Sequence, residues 1–294
     1  MDLTLEDFAA AVGSTGPVAI AGLGTRSRPL SDVRVVHAPI GIEWIEPAEM
    51  TIRCGAGTPV DEVDAALAEH GQQVAVNSGG TVGGALAVGQ SGIRWLAYGA
   101  MRDALLQANY VNAAGKLVKA GGPTVKNVSG FDLCRLLVGS HGTLGFIGDV
   151  ILRTRPKASF GQWFTSDRDP WELLTGLFRP TSLLWDGATT WVLLEGDDRD
   201  VAEMAERFLL TAVSSGPELP TGGRWSMAPS ELVSLRVASP GSFVAEIGVG
   251  VVHHTRPRPE RSPDPVQADL HARIKQEFDP TGRLNPGIDA LSVR

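Results

Sequence analysis

The chain holds 294 residues with 26 Lys+Arg, 33 Asp+Glu and a formal net charge of −7. Its 43% hydrophobic content excludes general disorder, and an acidic balance with no basic stripe argues against nucleic acid. Glycine is the outlier: there are 35, of which 23 precede residue 156 and 15 lie between Asn77 and Gly148. No Gly-X-Y period exists, so this density marks backbone that turns tightly or approaches another group closely.

Leu5–Val12 reads as a helix, capped by Thr4 or Asp2. Val18–Ala21 is a strand running into Gly22-Leu23-Gly24-Thr25, and Val33–His37 and Met50–Cys54 are further strands. After Gly55-Ala56-Gly57, Thr58 as N-cap and Pro59 at the first position open a helix that Gly71 stops. The loop Asn77–Gly84 leads into the small-residue helix Ala85–Val88. Ala104–Asn112 and Lys116–Ala120 form a hairpin, Phe131–Val138 a short helix capped by Asp132, and Leu144–Arg155 a strand.

After Pro156 the texture changes. Glycine thins, and Trp163, Trp171, Trp185, Trp191 and Trp225 appear, as core or as a partner-facing set. Phe160–Thr165, Thr190–Glu195 and Ser242–Val252 read as strands, Pro170–Phe178 and Asp198–Thr211 as helices. The Pro/Arg-rich stretch 256–264 is a linker, and Val266–Phe278 is an amphipathic helix. The N-terminus lacks a signal-peptide pattern, and no apolar run reaches the roughly 18–20 residues of a bilayer span. A cytoplasmic protein is expected, with any membrane association supplied by partners. Cys54 and Cys134 read as buried free thiols, too few to hold an iron–sulfur cluster.

Three loops, Gly22–Thr25, Gly79–Gly84 and Gly139–Gly145, can hold an anion through backbone N–H groups. The common nucleotide fingerprints do not fit. No third glycine follows Gly22-Leu23-Gly24 at Rossmann spacing, and there is no Walker loop or nucleophile elbow.

The ordered set resembles a known family. Its blocks are Gly22–Thr25, Gly55–Thr58, Thr81-Val82-Gly83-Gly84, Met101-Arg102-Asp103, Val125–Asp132, Gly139–Gly145 and the ending Phe278-Asp279-Pro280 with Leu284-Asn285-Pro286-Gly287. Together they resemble the FAD-linked oxidase superfamily, whose FAD-binding domain is of the vanillyl-alcohol oxidase and p-cresol methylhydroxylase type. Within it they look most like the smaller FAD-binding chains of bacterial glycolate oxidase. The implied fold is α+β: a two-subdomain FAD-binding domain over 1–157, a small α+β cap over 158–255, a linker at 256–264, and a segment 265–294 returning to the FAD domain.

The resemblance implies roles. Gly22, Leu23, Gly24, Thr25, Gly79, Gly80, Thr81, Gly83 and Gly84 would cradle the pyrophosphate. Gly142, Thr143 and Gly145 would line the adenosine and ribityl region, Ile147 would pair with adenine, and Asn285 would approach the isoalloxazine. Arg102 and Asp103 would form an ion pair beneath the flavin. Ala21 stands where relatives often carry Arg. No His or Cys stands at the usual attachment places, which implies non-covalent FAD.

No catalytic base is recognisable. Arg236, matched to a cap strand at 234–237, is a candidate for a substrate carboxylate, against an ordinary surface role. His141 is a candidate near the cofactor, and Lys126 for a phosphate or a helix cap. His253 and His254 lack metal-ligand partners at suitable spacing and read as surface polarity, so no metal is expected. The implied activity is flavin-mediated dehydrogenation of a small 2-hydroxy acid such as glycolate or D-lactate. The alternative is a non-catalytic or electron-relaying FAD subunit, assembled with a second flavoprotein subunit and an iron–sulfur subunit. A scaffold without flavin and an NADPH-using cell-wall precursor reductase are further readings.

Overall fold

The computed structural model describes residues 3–25, 33–123, 132–259 and 264–290. Lys126, and with it most of the Val125–Asp132 block, lies outside them. The chain divides into two compact units. The first is Met1–Gly92, Ala100–Lys157 and Pro263–Val293; the second is Ile93–Gly99 and Ala158–Ser262.

The first unit opens with the helix Leu5–Val12, begun by a reciprocal cap: Thr4 Oγ1 accepts from the Asp7 N–H, and Asp7 accepts from the Thr4 N–H. Strands β1 (Val18–Ile20) and β2 (Arg34–Val36) form a small parallel pair. Strands β3 (Ile42–Glu46), β4 (Thr51–Gly55), β5 (Gln72–Val74), β6 (Leu105–Val111), β7 (Leu117–Gly121) and β8 (Phe146–Pro156) build an antiparallel sheet. Its order is β3-β4-β8-β6-β7, with β5 pairing the end of β8. The central β8 is buried along most of its length, which removes the polar alternation expected of a half-buried strand. The helices Val60–Ala68 and Val82–Val88 contribute Val63, Leu67, Val82 and Leu86 to one core with Phe8, Ile52, Val150 and Leu284.

The second unit is a seven-stranded antiparallel sheet. Its strands are β9 (Phe160–Ser166), β10 (Ser182–Trp185), β11 (Thr190–Gly196), β12 (Thr211–Val213), β13 (Gly223–Ser226), β14 (Phe243–Glu246) and β15 (Val251–His254). The order is β12-β9-β11-β10-β14-β15-β13. Leu173 and Leu177 from the helix Pro170–Gly176 and its end, and Val201 and Ala205 from the helix Asp198–Arg207, join Leu183, Val192 and Val252 in its core. Trp171, Trp185 and Phe243 meet edge to face at 5.5 Å steps.

Four local expectations are corrected. Thr58 does not cap a helix; its hydroxyl bonds the Gly41 backbone, and the helix starts at Val60 after Pro59. The tertiary partner takes the oxygen that a cap would need. Ser242–Val252 is a hairpin rather than one strand, because Gly248 and Gly250 take positive φ and turn the chain between β14 and β15. The helix from Asp198 ends at Arg207, with Leu209 left-handed, so that Thr211–Val213 can pair with β9. Residues 234–237 belong to the 3-10 segment Pro229–Val237, not to a strand.

Candidate functional site

In the first unit, five short backbone stretches converge on one cleft enclosing about 920 Å³ of space open to solvent. They are the end of β1 with Ala21–Gly22, then Ala56–Gly57, Thr81–Gly84, Ser140–Gly142 and Gly145–Ile147; Asn285 and Ile288 complete the wall.

The glycines make this convergence possible by letting loop pack on loop. A Cβ on Gly22 would stand 2.8 Å from Thr81 Oγ1, and one on Gly83 2.8 Å from the Ala56 methyl. On Gly57 it would meet the Ala38 carbonyl at 2.4 Å, and on Gly145 the Tyr110 ring at 2.5 Å. Gly142, at φ +71, would place it 2.6 Å from Asn285 Nδ2. No real Cβ fits at such distances, so each glycine lets its loop lie directly against a neighbouring side chain or carbonyl.

Asn285 ties the walls together. Its Oδ1 accepts from the Ile20 N–H at 3.0 Å and its Nδ2 donates to the His141 carbonyl at 2.7 Å. It sits at φ +44, a conformation that Asn tolerates better than most residues. Beside it, Arg283 is almost wholly buried and donates to five carbonyls, those of Val12, Gly13, Thr15, Gly16 and Ala113. Asp279 accepts from the Lys275 ammonium and from the N–H groups of Arg283 and Leu284. Burial pushes its carboxyl pKa up, but these donors outweigh it and hold the value below the ordinary range.

Of the residues expected at the cofactor, Gly22, Thr81, Gly83, Gly84, Gly142, Gly145, Ile147 and Asn285 line the cleft, as does His141. Leu23, Gly24 and Thr25 are exposed beyond Gly22 and do not line it. Gly79 donates to Asp61, Gly80 accepts from Val60, and Thr143 bonds the Ser140 carbonyl; none of the three lines the cleft. Arg102 and Asp103 do not pair there either: Asp103 bridges to Arg135, which stands closer on the neighbouring short helix. Arg236 is clasped by Asp169, the cap of the helix Pro170–Gly176, and lies over the Trp171 ring at 4.6 Å. These contacts engage one guanidinium nitrogen and one face of the side chain. Sequence reasoning assigned no role to Ala56 and Gly57, although the Gly-Ala-Gly run was visible.

His253 and His254 are not surface polarity. His254 is buried and stacked on Trp225 with ring centroids 4.0 Å apart, and His253 Nε2 lies 2.9 Å from Glu246 Oε1. Among the described residues no three metal-ligating groups cluster. Cys54 and Cys134 are buried free thiols; burial raises their pKa to about 12 and about 11.

The cleft suits a dinucleotide. Among the described residues its lining carries no lysine, arginine or carboxylate, so backbone amides and a few neutral side chains such as Thr81 and His141 are the anion donors on its wall. On the cleft wall the N–H groups of Gly22 and Gly142 take no backbone partner among the described residues, whereas that of Ala21 is spent on Val36. Ile20, Val35, Leu137, Phe146 and Ile288 offer apolar surface for flat rings.

Comparison with known proteins agrees with this geometry. Residues 30–121 match the FAD binding domain, and residues 223–288 match the FAD linked oxidases, C-terminal domain. The glycolate oxidase subunit GlcE of Escherichia coli is 31% identical over 224 residues, covering 69% of this chain and 62% of that protein. A D-lactate dehydrogenase of Archaeoglobus fulgidus is 41% identical over 107 residues, 35% of this chain and 24% of that one. The chain thus spans less than two thirds of the length of these relatives. Among solved structures, alkyldihydroxyacetonephosphate synthase superposes with a TM-score of 0.67 at 14% identity, over 97% of this chain and 74% of that one. The α+β architecture is the p-cresol methylhydroxylase-type FAD-binding fold, the cofactor is FAD, and the chain belongs to the FAD-linked oxidase superfamily.

Proposed function

We propose that this chain dehydrogenates a small 2-hydroxy acid, of the size of glycolate or D-lactate, using non-covalent FAD held in the cleft of the first unit. The observation that carries the reading is the convergence of glycine-packed loops that leaves the Gly22 and Gly142 amides for a diphosphate. Two relatives named for glycolate and D-lactate chemistry supply the substrate class. Bound FAD supplies a two-electron acceptor. The cleft contributes orientation: Asn285 holds the β1 end and the His141 loop at fixed separation, and the apolar wall offers a packing surface for the rings.

A second reading has its own support. The relative matching 69% of the chain is named a subunit. We infer that this chain works within a hetero-oligomer whose other members are a second flavoprotein subunit and an iron–sulfur subunit. Among the described residues no helix is long and apolar enough to cross a membrane. Anaerobic titration separates the two readings. Bleaching of the flavin bands by glycolate or D-lactate with the chain alone supports the dehydrogenase. Bleaching only with partner subunits present supports the assembly. Failure to take up FAD refutes both.

A further inference from the structure

Among the described residues the cleft wall of the first unit carries one titratable side chain, that of His141. Its backbone is held at both ends. The His141 N–H donates to the Ala87 carbonyl at 2.8 Å, and the His141 carbonyl accepts from Asn285 Nδ2 at 2.7 Å. Between them φ is +52, in the left-handed region that glycine and asparagine reach more readily than histidine. Neither bond uses an imidazole atom, so the loop's geometry does not call for histidine.

The ligand does. FAD carries a diphosphate with both phosphates ionised, and an anion taken out of water needs hydrogen bonds or a compensating charge. Gly142, whose amide takes no backbone partner among the described residues, directly follows His141. The neutral donors beside it are few: Ser140 Oγ is spent on the Leu137 carbonyl, and Thr81 Oγ1 accepts from the Gly84 N–H and keeps its own hydrogen to donate.

The charged groups on the surrounding elements are engaged elsewhere. The helix Val82–Val88, which receives the His141 N–H, holds no titratable residue. On the helix Leu133–Leu137, Cys134 is a buried thiol and Arg135 bridges to Asp103 and Asp132. In the C-terminal segment, Lys275 binds the Thr143 carbonyl and Asp279, and Arg283 lies in its cage of carbonyls. Asp289 follows Ile288 of the wall and, as a carboxylate, repels a phosphate. Beside β1, Arg34 donates to the Val12 and Thr15 carbonyls, and His37 Nδ1 lies 3.1 Å from the Ala21 carbonyl. Tyr110, whose ring meets Gly145, is a phenol that burial keeps neutral.

We propose that His141 meets the FAD diphosphate as an imidazolium, so that the chain takes up a proton from solvent as it takes up FAD. This rests on FAD lying in the cleft, not on the identity of the substrate. A phosphate beside the ring favours its charged form, so the loaded chain holds the proton to higher pH than the empty one. FAD therefore binds most tightly at low pH. Affinity falls by at most about tenfold per pH unit as the empty chain loses the proton, and levels off once the loaded chain has lost it too.

The test titrates the full chain, freed of flavin, with FAD from about pH 6 to 8.5, where histidine ordinarily titrates. Flavin fluorescence gives Kd, and calorimetry in buffers of different ionisation enthalpy gives the protons taken up. The phosphorus resonances of bound FAD report on the diphosphate itself. In the wild type Kd should rise at least tenfold across this range, with net proton uptake and phosphorus shifts that follow pH. H141N and H141G both suit the left-handed backbone; in each, Kd should vary less than threefold, proton uptake should vanish and the phosphorus shifts should stay fixed. H37Q should behave as the wild type. If H141N and H141G keep the wild-type pH dependence and proton uptake, or H37Q abolishes them, His141 is not the charge partner. Proton uptake with phosphorus shifts that ignore pH also overturns the proposal. In each of these cases FAD still binds and the proposed function stands. If the chain takes up no FAD at any pH, the placement of the cofactor falls as well.

Discussion

Replacing Arg283 tests how the first unit is held closed around its cleft. The guanidinium is 5% exposed and its five N–H donors meet five carbonyls at 2.7–3.1 Å. Two of these acceptors, Val12 and Thr15, also receive Arg34 Nη2, so the C-terminus of the helix Leu5–Val12 is shared by two cations. Lysine keeps the charge but has at most three donors, in the wrong geometry for a planar fork. R283K therefore leaves at least two acceptors unserved; Arg34 and water compensate in part, and the loss is about 2–3 kcal/mol. R283M also removes the charge and strands the Gly13, Gly16 and Ala113 carbonyls, at about 4 kcal/mol. With two units in one chain a single midpoint is ambiguous, so amide hydrogen exchange is the better assay. The Val18 N–H, bonded to the Arg283 carbonyl, and the Asn285 N–H, bonded to the Val18 carbonyl, report the clasp directly. R283K should speed their exchange about 30- to 140-fold while β11 amides of the second unit stay unchanged. Exchange at Val18 and Asn285 within threefold of wild type would refute the idea that the carbonyl cage stabilises the clasp.

Four further outcomes are expected. G142A forces a left-handed alanine, roughly 1–2 kcal/mol, and displaces Asn285 Nδ2 from His141; fluorescence titration should show at least tenfold weaker FAD binding. The lowered pKa of Asp279 means its contribution is present above the ordinary value of 3.8 and is lost as pH falls below it; denaturant unfolding of D279N across that range should show a smaller acid-dependent loss than the wild type. R236A breaks a partly exposed pair and a ring contact, so stability should fall by no more than about 1 kcal/mol and KM for glycolate should not move. Cys54 and Cys134, held as thiols by burial, should react with Ellman's reagent at pH 8 only after denaturation.

Features decided within a few residues were legible in the sequence. Thr4 caps a helix with Asp7 three positions on, Asp132 caps Leu133–Leu137, and Asn112 closes its hairpin by accepting from the Ala114 and Lys116 N–H groups. Features decided by distant partners were not. Thr211–Val213 is a strand only because β9 lies beside it, and β5 only because β8 does. The same division runs through the site. The glycine runs announce tight backbone, but Asn285 and Arg283 act on groups more than 140 positions away in sequence. Glu246 and His253 illustrate the cost of one wrong turn. In a single strand, seven positions apart means about 23 Å and opposite faces; in the hairpin that Gly248 and Gly250 allow, the two side chains touch.

The glycine excess therefore has a narrower meaning than closeness to a ligand. At Gly22, Gly57, Gly83, Gly142 and Gly145 the space denied to a side chain is filled by Thr81, Ala38, Ala56, Asn285 and Tyr110, all belonging to the protein. A larger residue there would act first on the distance between walls and only then on the cofactor. Gly24 and Gly79 differ: each has positive φ and nothing within 4 Å of where a Cβ would lie, so they are needed for backbone conformation alone. An alanine at Gly24 or Gly79 thus strains a turn without crowding a neighbour, whereas one at Gly57 or Gly142 pushes two walls of the cleft apart. Cofactor affinity should follow the second group more closely than the first, and that ordering separates a cleft built by loop-to-loop packing from one built only by permissive turns.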